Sequence, residues 1–546
     1  MRSNATDGPP RDIPDGDGRD GLTRGDLLKG AAAAAPALLL ASQAAAAARR
    51  EQPAHAGAGR SAAGMNVLVF LTDQQRAVQH FPPGWSRRNL PGLTRLQRHG
   101  LTFENAFTNA CMCSPARSTL MSGYFPAQHG VKYTLETNMP SPQYPQVELS
   151  TGLRNPASVV AAAGYTPVYK GKFHCNKPAG ADWVPEDVNK YGFTRWDPPD
   201  AGANQSAPEA GGGSYDNDGR FMNDQGTPDA GTEGAVQYLS SAAAQSQPFF
   251  MVVSLVNPHD VLFYPRTYDS SGYDDSWLQG EIEPPVTANE DLSTKPTVQA
   301  QFLRLFNASG PIPTPQMKRN YLNFYGNLMK SSDAYLVELL DTLEKNRLLD
   351  NTLVIATADH GEMGTAHGGM RQKNFNAYEE STHVPLVYSN PRLFKKPRRT
   401  DALVSHVDFL PTLASLVGAP SSARADWQGV DYSDLILQQA AKPVQDYTVF
   451  TYDDYQSGQP RGPYPRPPNH IVSIREQRWK IARYWDADGN EPDQWELYDL
   501  QNDPFERVNL AFRGHRRTPM QDRQYRRMRA KLARVEKTRL QPLSAA

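Results

Sequence analysis

From Met65 onward, apolar runs of strand length alternate with segments of helical period, the arrangement of an α/β fold on a mainly parallel sheet. Asn66–Leu71, Phe249–Val256 and Leu353–Thr357 are nearly continuous apolar runs. A strand covered on both faces has no solvent side for polar residues, so these runs predict central strands. Tyr321–Leu349 carries the clearest helical period. Each apolar run ends in polar residues: Thr72-Asp73-Gln74, Asn257-Pro258-His259-Asp260 and Ala358-Asp359-His360. In open α/β sheets ligands gather beyond the carboxyl ends of the strands, so the three ends are expected to converge on one site. Insertions at 176–232 and 261–316, dense in Gly, Pro, Ser and Asp, are expected to rim it as loops. After about residue 430 the runs shorten. Tyr447–Tyr452, His470–Ile474 and Trp479–Tyr484 read as antiparallel strands. The expected architecture is a large, mainly parallel sheet flanked by helices over 65–430, with a smaller C-terminal antiparallel-sheet subdomain over 431–546.

Composition narrows the class only slightly. A chain of 546 residues with a formal charge of -1 holds a large core and presents no basic field for nucleic acid. Its three cysteines, Cys111, Cys113 and Cys175, are an odd number, and the first two are too close in sequence to bridge readily, so no disulfide framework is expected. Residues 1–20 are rich in Gly, Pro and Asp and read as disordered. Thr23-Arg24-Gly25-Asp26 then leads into an Ala/Leu run through Ala48. Segment 1–48 therefore reads as a disordered start plus an export signal of twin-arginine type, with Gly25 in place of the second Arg, and 49–64 as a linker. Export to the periplasm or medium is the expectation. Pro36 interrupts the run and Ala partitions weakly into lipid, which argues against a stable membrane anchor.

The chemistry concentrates in Cys113-Ser114-Pro115-Ala116-Arg117, followed six residues after the Arg by Gly123. Pro115 suits the first turn of a helix, where its missing N–H would be unsatisfied anyway, and Gly123 suits the exit. Cys113 is thus predicted at a helix N-terminus, whose free N–H groups favour an oxyanion and lower a thiol pKa. The competing reading of Cys113 alone is a small buried residue before an ordinary helix. Two strand-end carboxylates, Asp73 and Asp359, offer hard oxygen ligands, with His360 adjacent and Gln74 as a neutral donor. Taken singly, an Asp after a strand is more often a turn or helix cap.

The run from Cys113 resembles the signature of type I sulfatases, in which the Cys becomes formylglycine, within the alkaline-phosphatase-like superfamily. Asn66–Gln74 is similar to that family's first metal-binding strand, and Leu101–Phe107 and His129-Gly130 to the flanks of the signature. Gly164–Pro167 through Gly171-Lys172-Phe173-His174 resembles the second signature, and Pro258-His259 another site-bearing strand end. Thr357–Glu362 resembles the second metal-binding strand, with Lys373 and Tyr378–Pro385 following. Val407–Thr412, Glu496–Leu500, Asp503-Pro504 and Asn509-Leu510 are similar to downstream landmarks.

This resemblance implies hydrolysis of a sulfate ester, on a small molecule or glycan, to an alcohol and inorganic sulfate. It implies Cys113, Arg117, Lys172, His174, His259 and Lys373 as catalytic residues. Arg117 would support the residue-113 hydrate, Lys172 and Lys373 would clamp sulfate oxygens, His259 or Lys373 would protonate the leaving alcohol, and His174 would act as a base. One divalent metal would be held by Asp73, Gln74, Cys113, Asp359 and His360. Calcium is the first expectation, with manganese the alternative because one ligand is an imidazole. A formylglycine-generating enzyme is the implied maturation partner. The Gln74 and His360 choices look more like the choline-sulfatase and phosphonate monoester hydrolase branches, so a phosphonate or phosphate ester hydrolase is the first rival. A noncatalytic protein binding sulfated glycans is the second. His367 reads either as an active-site loop residue or as a loop histidine bound to backbone. Tyr452-Asp453-Asp454-Tyr455 reads as a cap on the C-terminal sheet in preference to a cation site, and Arg513–Arg529 as a solvated helix face.

Overall fold

The computed structural model describes residues 61–77, 80–136, 146–201, 217–223, 233–438, 442–459 and 461–543. The export segment 1–48 and nearly all of the 49–64 linker lie outside the described residues. The first sheet comprises β1 (Asn66–Asp73), β2 (Gly100–Phe107), β3 (Thr166–Gly171), β4 (Phe249–Pro258), β5 (Thr352–Ala358), β6 (Leu386–Ser389) and β7 (Arg398–Ser405), in the order β3-β4-β1-β5-β6-β2-β7. Every pairing is parallel except those of β6 with β5 and β2. Alternation across the pleat explains the continuous apolar runs. Val67, Val69 and Leu71 join one buried cluster with Phe250 and Ile355, while Leu68 and Phe70 join another with Met251 and Val354. Both faces are covered, so both sets of side chains must be apolar.

The three predicted strand ends meet. β1 lies between β4 and β5, all parallel, so Asp73, His259 and Asp359 leave the same edge of the sheet. Four helices matter for the site and its support: α1 (Cys113–Ser122), α2 (Thr297–Ser309), α3 (Pro315–Lys345) and α4 (Pro519–Arg539). α3 starts earlier and ends earlier than the expected Tyr321–Leu349. Thr314 caps it by accepting from the Met317 N–H, with Pro315 in its first turn, and it stops at Asn346 before a short 3-10 turn at Leu349–Asn351. α2 lies within the loop-rich segment 261–316, whose Gly and Pro density masks this 13-residue helix.

The C-terminal strands β8 (Thr448–Tyr452), β9 (His470–Arg475), β10 (Trp479–Trp485) and β11 (Gln494–Asp499) form an antiparallel sheet in the order β11-β10-β9-β8. β11 was not expected as a strand. Met528, Leu532 and Val535, spaced for one helical face, carry α4 onto Ile474, Ile481 and Leu497 of this sheet. Among the described residues no helix is long and apolar enough to cross a membrane, and the three cysteines are free and buried.

Candidate active site at the strand ends

Helix α1 begins at Cys113, after an extended Met112, and ends at Gly123 with φ 72. A Cβ at Gly123 would meet Trp427 at 2.8 Å, so this exit requires glycine for space as well as for backbone. All ten helix residues are buried. Cys113 Sγ stands 3.2 Å from His360 Nε2 and 3.6 Å from Asp73 Oδ1. The expected lowering of its pKa does not occur. Burial and the Asp73 carboxylate push the thiol up to about 11, overriding the helix terminus. A group at this position gains nucleophilic character from something other than thiolate formation.

Arg117, one turn further on, is fully buried and fully committed. Its Nε donates to Asp359 Oδ2 at 2.9 Å and its Nη2 to Asp73 Oδ2 at 3.1 Å, while Nη1 donates to the Lys172 carbonyl and Ser254 Oγ, each at 2.8 Å. Lys172 Nζ is 2.7 Å from Asp73 Oδ2 yet makes no aligned hydrogen bond, which leaves its N–H groups for a ligand oxygen. Burial works to raise the Asp73 pKa, but Lys172, His259 and Arg117 outweigh it and hold the group well below the usual carboxylate range. Gly171 brings Lys172 here: its φ is +90, and a Cβ would fall 2.0 Å from the Ser254 carbonyl. The strand stops at that glycine. His174 adopts φ 53, so Lys172 and His174 are not two apart on an extended strand, and both reach the site from an irregular turn. The side chain of Asp200 holds that turn by accepting from the Phe173 and His174 N–H groups.

The ring nitrogens are fixed by backbone carbonyls. His174 Nε2 lies 2.5 Å from the Leu135 carbonyl, so it carries the proton and Nδ1 presents a lone pair, which has no partner among the described residues. His360 Nδ1 is 3.1 Å from the Gly361 carbonyl, which turns the Nε2 lone pair toward Cys113, with Asp73 Oδ1 and Asp359 Oδ1 each 3.7 Å away. Ligating atoms of Asp73, Cys113, Asp359 and His360 all lie within 4.8 Å of one another. Gln74, with φ 68, behaves differently: its Oε1 accepts from Lys373 Nζ and its amide nitrogen donates to Glu362. His259, opening the 3-10 turn His259–Phe263 after β4, is partly exposed, and burial followed by Lys373 pulls its pKa well below the usual imidazole value.

Of these residues Cys113, His174, His259 and Lys373 line a cleft of about 900 Å³ and form its floor, while Asp73, Arg117, Lys172, Asp359 and His360 are fully buried beside them. Its walls come from Leu262–Thr267 and α2, within the 261–316 insertion expected to rim the site, from Arg371–Asn374, and from the loops at 456–459 and 461–465, which the sequence left without a role. Glu362 was also missed. It accepts from Tyr321 OH at 2.7 Å, Gln372 N at 2.9 Å, Gly364 N at 3.1 Å and the Gln74 amide. Being an acceptor on all four sides, it fixes which way the Gln74 amide points. A carboxylate two residues beyond a metal-type Asp-His pair was the only available signal.

Other expectations settle elsewhere. His367 is buried against Glu290 (2.7 Å) and Glu380 (3.7 Å) and stacks on Tyr378, so it is bound to side chains, not to backbone. Asp454 accepts from the Thr134 N–H and hydroxyl, and Asp453 pairs with His470 on β9, which ties the acidic cluster into the C-terminal sheet. Arg527 in α4 pairs with Glu476.

Comparison with known proteins now adds to the geometry. The sequence model of the family described as Sulfatase matches residues 65–419, and that described as N-sulphoglucosamine sulphohydrolase, C-terminal, matches 367–537. An ulvan-active sulfatase of Formosa agariphila is 25% identical over 450 residues, covering 82% of this chain and 76% of that protein. A choline-sulfatase of Rhizobium meliloti is 25% identical over 468 residues, covering 82% of each. Among solved structures, a phosphonate monoester hydrolase of Silicibacter pomeroyi superposes with a TM-score of 0.62 at 19% identity, over 87% of this chain and 96% of that one, a likeness of fold.

Proposed function

We propose, for a chain that belongs to the sulfatase family and is a sulfuric ester hydrolase, that Cys113 is matured to formylglycine and works beside one divalent metal. The observation that carries this reading is the convergence of Cys113, Asp73, Asp359 and His360 donor atoms within 4.8 Å, walled by Arg117 and Lys172. Two buried carboxylates and an imidazole lone pair fit a divalent cation, and Asp73, Asp359, His360 and residue 113 would hold it. Calcium remains the first candidate and manganese the second. When bound, the metal supplies positive charge for a sulfate oxygen and for the oxygen on residue 113. Gln74, expected as a further ligand, has its carbonyl turned to Lys373, so we assign it to steering that lysine.

Formylglycine at position 113 supplies a hydrate whose one hydroxyl attacks sulfur and whose other allows sulfate to be expelled and the aldehyde regenerated. The remaining steps belong to side chains already in position. Lys172, with its N–H groups unspent, and Lys373, with one N–H on Gln74 and two left, grip non-bridging sulfate oxygens. The leaving alcohol receives its proton from the side of His259 and Lys373, which line the cleft together. His174 Nδ1, deprotonated because Nε2 is committed to Leu135, takes the proton from the hydrate during collapse.

The substrate is a sulfate ester of a small molecule or glycan, in keeping with relatives named for ulvan and for choline. Region 65–430 carries the chemistry, and 431–546 forms a subdomain that lends Gln456–Gln459 to the rim. Maturation by a formylglycine-generating enzyme and export through the Arg24-led segment complete the proposal. Its test is peptide mass spectrometry of the Cys113 peptide, from protein made with the maturation enzyme, alongside a panel of aryl, choline, sugar and phosphonate esters. An aldehyde or hydrate mass together with sulfate release is expected. Thiol alone in a fully active preparation would reject the formylglycine step, and faster turnover of phosphonates than of every sulfate would favour the phosphonate hydrolase rival.

A further inference from the structure

We infer that the outer cleft is a second anion subsite, in which Arg371, with Arg266 and Arg461 at the mouth, binds an additional carboxylate or sulfate on the ring-bearing alcohol portion of the substrate. The inference rests on the sulfatase reading above and names the substrate class for that same cleft. Arg371 is 2% exposed. Its Nη2 donates to Asn307 Oδ1 at 3.0 Å and to the Gly310 carbonyl at 2.6 Å, and its Nη1 to the Tyr264 carbonyl at 3.4 Å. All three acceptors are neutral. Among the described residues no carboxylate lies within 4.0 Å, and Nε has no partner. Glu362 acts on this guanidinium only from a distance and the rings of Phe306 and Tyr321 face it, so among the described residues no carboxylate contacts it, and an arriving anion adds a charge-assisted contact that the protein does not provide.

The surroundings extend the same chemistry outward. The stem of Arg266 lies over Gly310, where an added Cβ would meet its Cγ at 3.2 Å, so Arg266 and Arg371 flank one turn. Arg266 and Arg461 are exposed, line the cleft and have no carboxylate within 4.0 Å among the described residues. Glu136 is the one acidic side chain lining the cleft among the described residues, against these three arginines and Lys373. In the proposed mechanism Lys172, Lys373 and the metal site take the oxygens of the reacting sulfate, which leaves these three arginines free of that task. Phe263, Phe302, Phe306 and Tyr464 line the same cleft, and the Arg371 guanidinium lies 4.5 Å from the Phe306 ring centroid. Aromatic faces accept a sugar or aryl ring and orient whatever charge that ring carries.

The test uses matured, metal-loaded enzyme and matched pairs of substrates: an aryl sulfate bearing a carboxylate against its methyl ester, and a ring disulfate against the monosulfate. Sulfate release is read as kcat and KM. The wild type is expected to favour the charged member by about 10–100-fold in kcat/KM, chiefly through KM and less so as salt rises. Arg266→Gln and Arg461→Gln alter exposed side chains and therefore report even if Arg371→Gln does not fold. Each should narrow the preference severalfold. The pair that shows the larger preference identifies the anion as carboxylate or sulfate. Equal kcat/KM within both pairs, with sulfate released from all four compounds, would overturn the subsite while leaving the sulfatase reading intact. A preference that survives every arginine variant would also overturn it. No sulfate release from any compound would remove the underlying reading and the subsite with it.

Discussion

Arg117 and Arg371 are both buried beside one cleft, but they meet opposite surroundings. Arg117 spans two carboxylates, Asp359 at 2.9 Å and Asp73 at 3.1 Å, whereas Arg371 is met by two backbone carbonyls and an amide oxygen. The floor is internally neutralised. Its charges organise one another, so the reacting group enters a preorganised field that costs no rearrangement at the moment of reaction. The wall is left with unmatched positive charge and aromatic surface, which is suited to discriminating among ligands. Chemistry and choice of substrate are thus carried by different parts of the chain: strand ends for the first, inserted segments for the second.

The largest effect should come from breaking the floor. Asp73→Asn or Asp359→Asn neutralises a proposed metal donor and takes one of Arg117's two carboxylates, so kcat/KM for any sulfate ester should fall by about 10³-fold or more. Urea denaturation should also register a loss of roughly 1–3 kcal/mol for a buried guanidinium left with one carboxylate in place of two. Near-wild-type turnover by either variant would mean that the floor does not work as a unit. A smaller effect is expected one layer behind. Glu362→Gln introduces an N–H where four donors now converge, which frees the Gln74 amide to turn its nitrogen toward Lys373. We expect about a tenfold fall in kcat/KM at unchanged metal content, in line with the cost of misdirecting one charged hydrogen bond. No change would show that Lys373 is positioned without Gln74. The wall should respond more mildly still. Phe306→Ala should raise KM by about 3–10-fold for ring-bearing esters and leave kcat nearly constant, since a lost stacking face weakens binding without touching the reacting atoms. An equal fall in kcat would blur the division between floor and wall.

The same division decides what could be read from sequence. β1, β4 and β5 announce themselves because strands buried on both faces admit only apolar residues, and their polar exits mark the floor. Hydropathy places Asp73, Asp359 and His360 at those exits, and the resemblance to the sulfatase motifs is what singles them out from ordinary turn or cap residues. The wall has no such constraint. Arg371 lies two residues before Lys373, and nothing local separates a guanidinium facing carbonyls from one facing solvent. α2 hides for a related reason, since the Pro- and Gly-rich flanks of 261–316 dominate the composition. A single φ of +90 at Gly171 ends β3 and a left-handed His174 follows, so nothing in the local hydropathy shows how Lys172 and His174 reach the site. The Cys113 thiol was misjudged by weighing the helix terminus against nothing: the competing Asp73 carboxylate is 40 positions away in sequence.

His367 supplies the mildest and most selective test, because it follows the floor residues closely in sequence yet faces away from the cleft. Burial acts to lower its pKa, but the hydrogen bond with Glu290 and the nearby Glu380 carboxylate overcome that and raise it from 6.5 to about 9. A folded-state pKa above the unfolded value means that the folded protein binds the proton more tightly. The stabilisation is therefore fully present below about pH 6.5 and is lost as pH rises through about 9. A shift of this size corresponds to about 2–4 kcal/mol. Glu506, pushed up to about 7 by burial, titrates in part of the same window, so the quantity to measure is the difference between wild type and His367→Gln. Urea midpoints should differ clearly at pH 6 and converge by pH 9.5, while kcat/KM at pH 7 stays within about twofold, since the ring touches neither the metal donors nor the cleft. A constant stability difference across that range would mean that packing against Tyr378, 3.7 Å away and nearly parallel, holds this loop in place of its charge. A collapse of turnover with stability unchanged would move His367 onto the floor and erase the boundary drawn between the two regions.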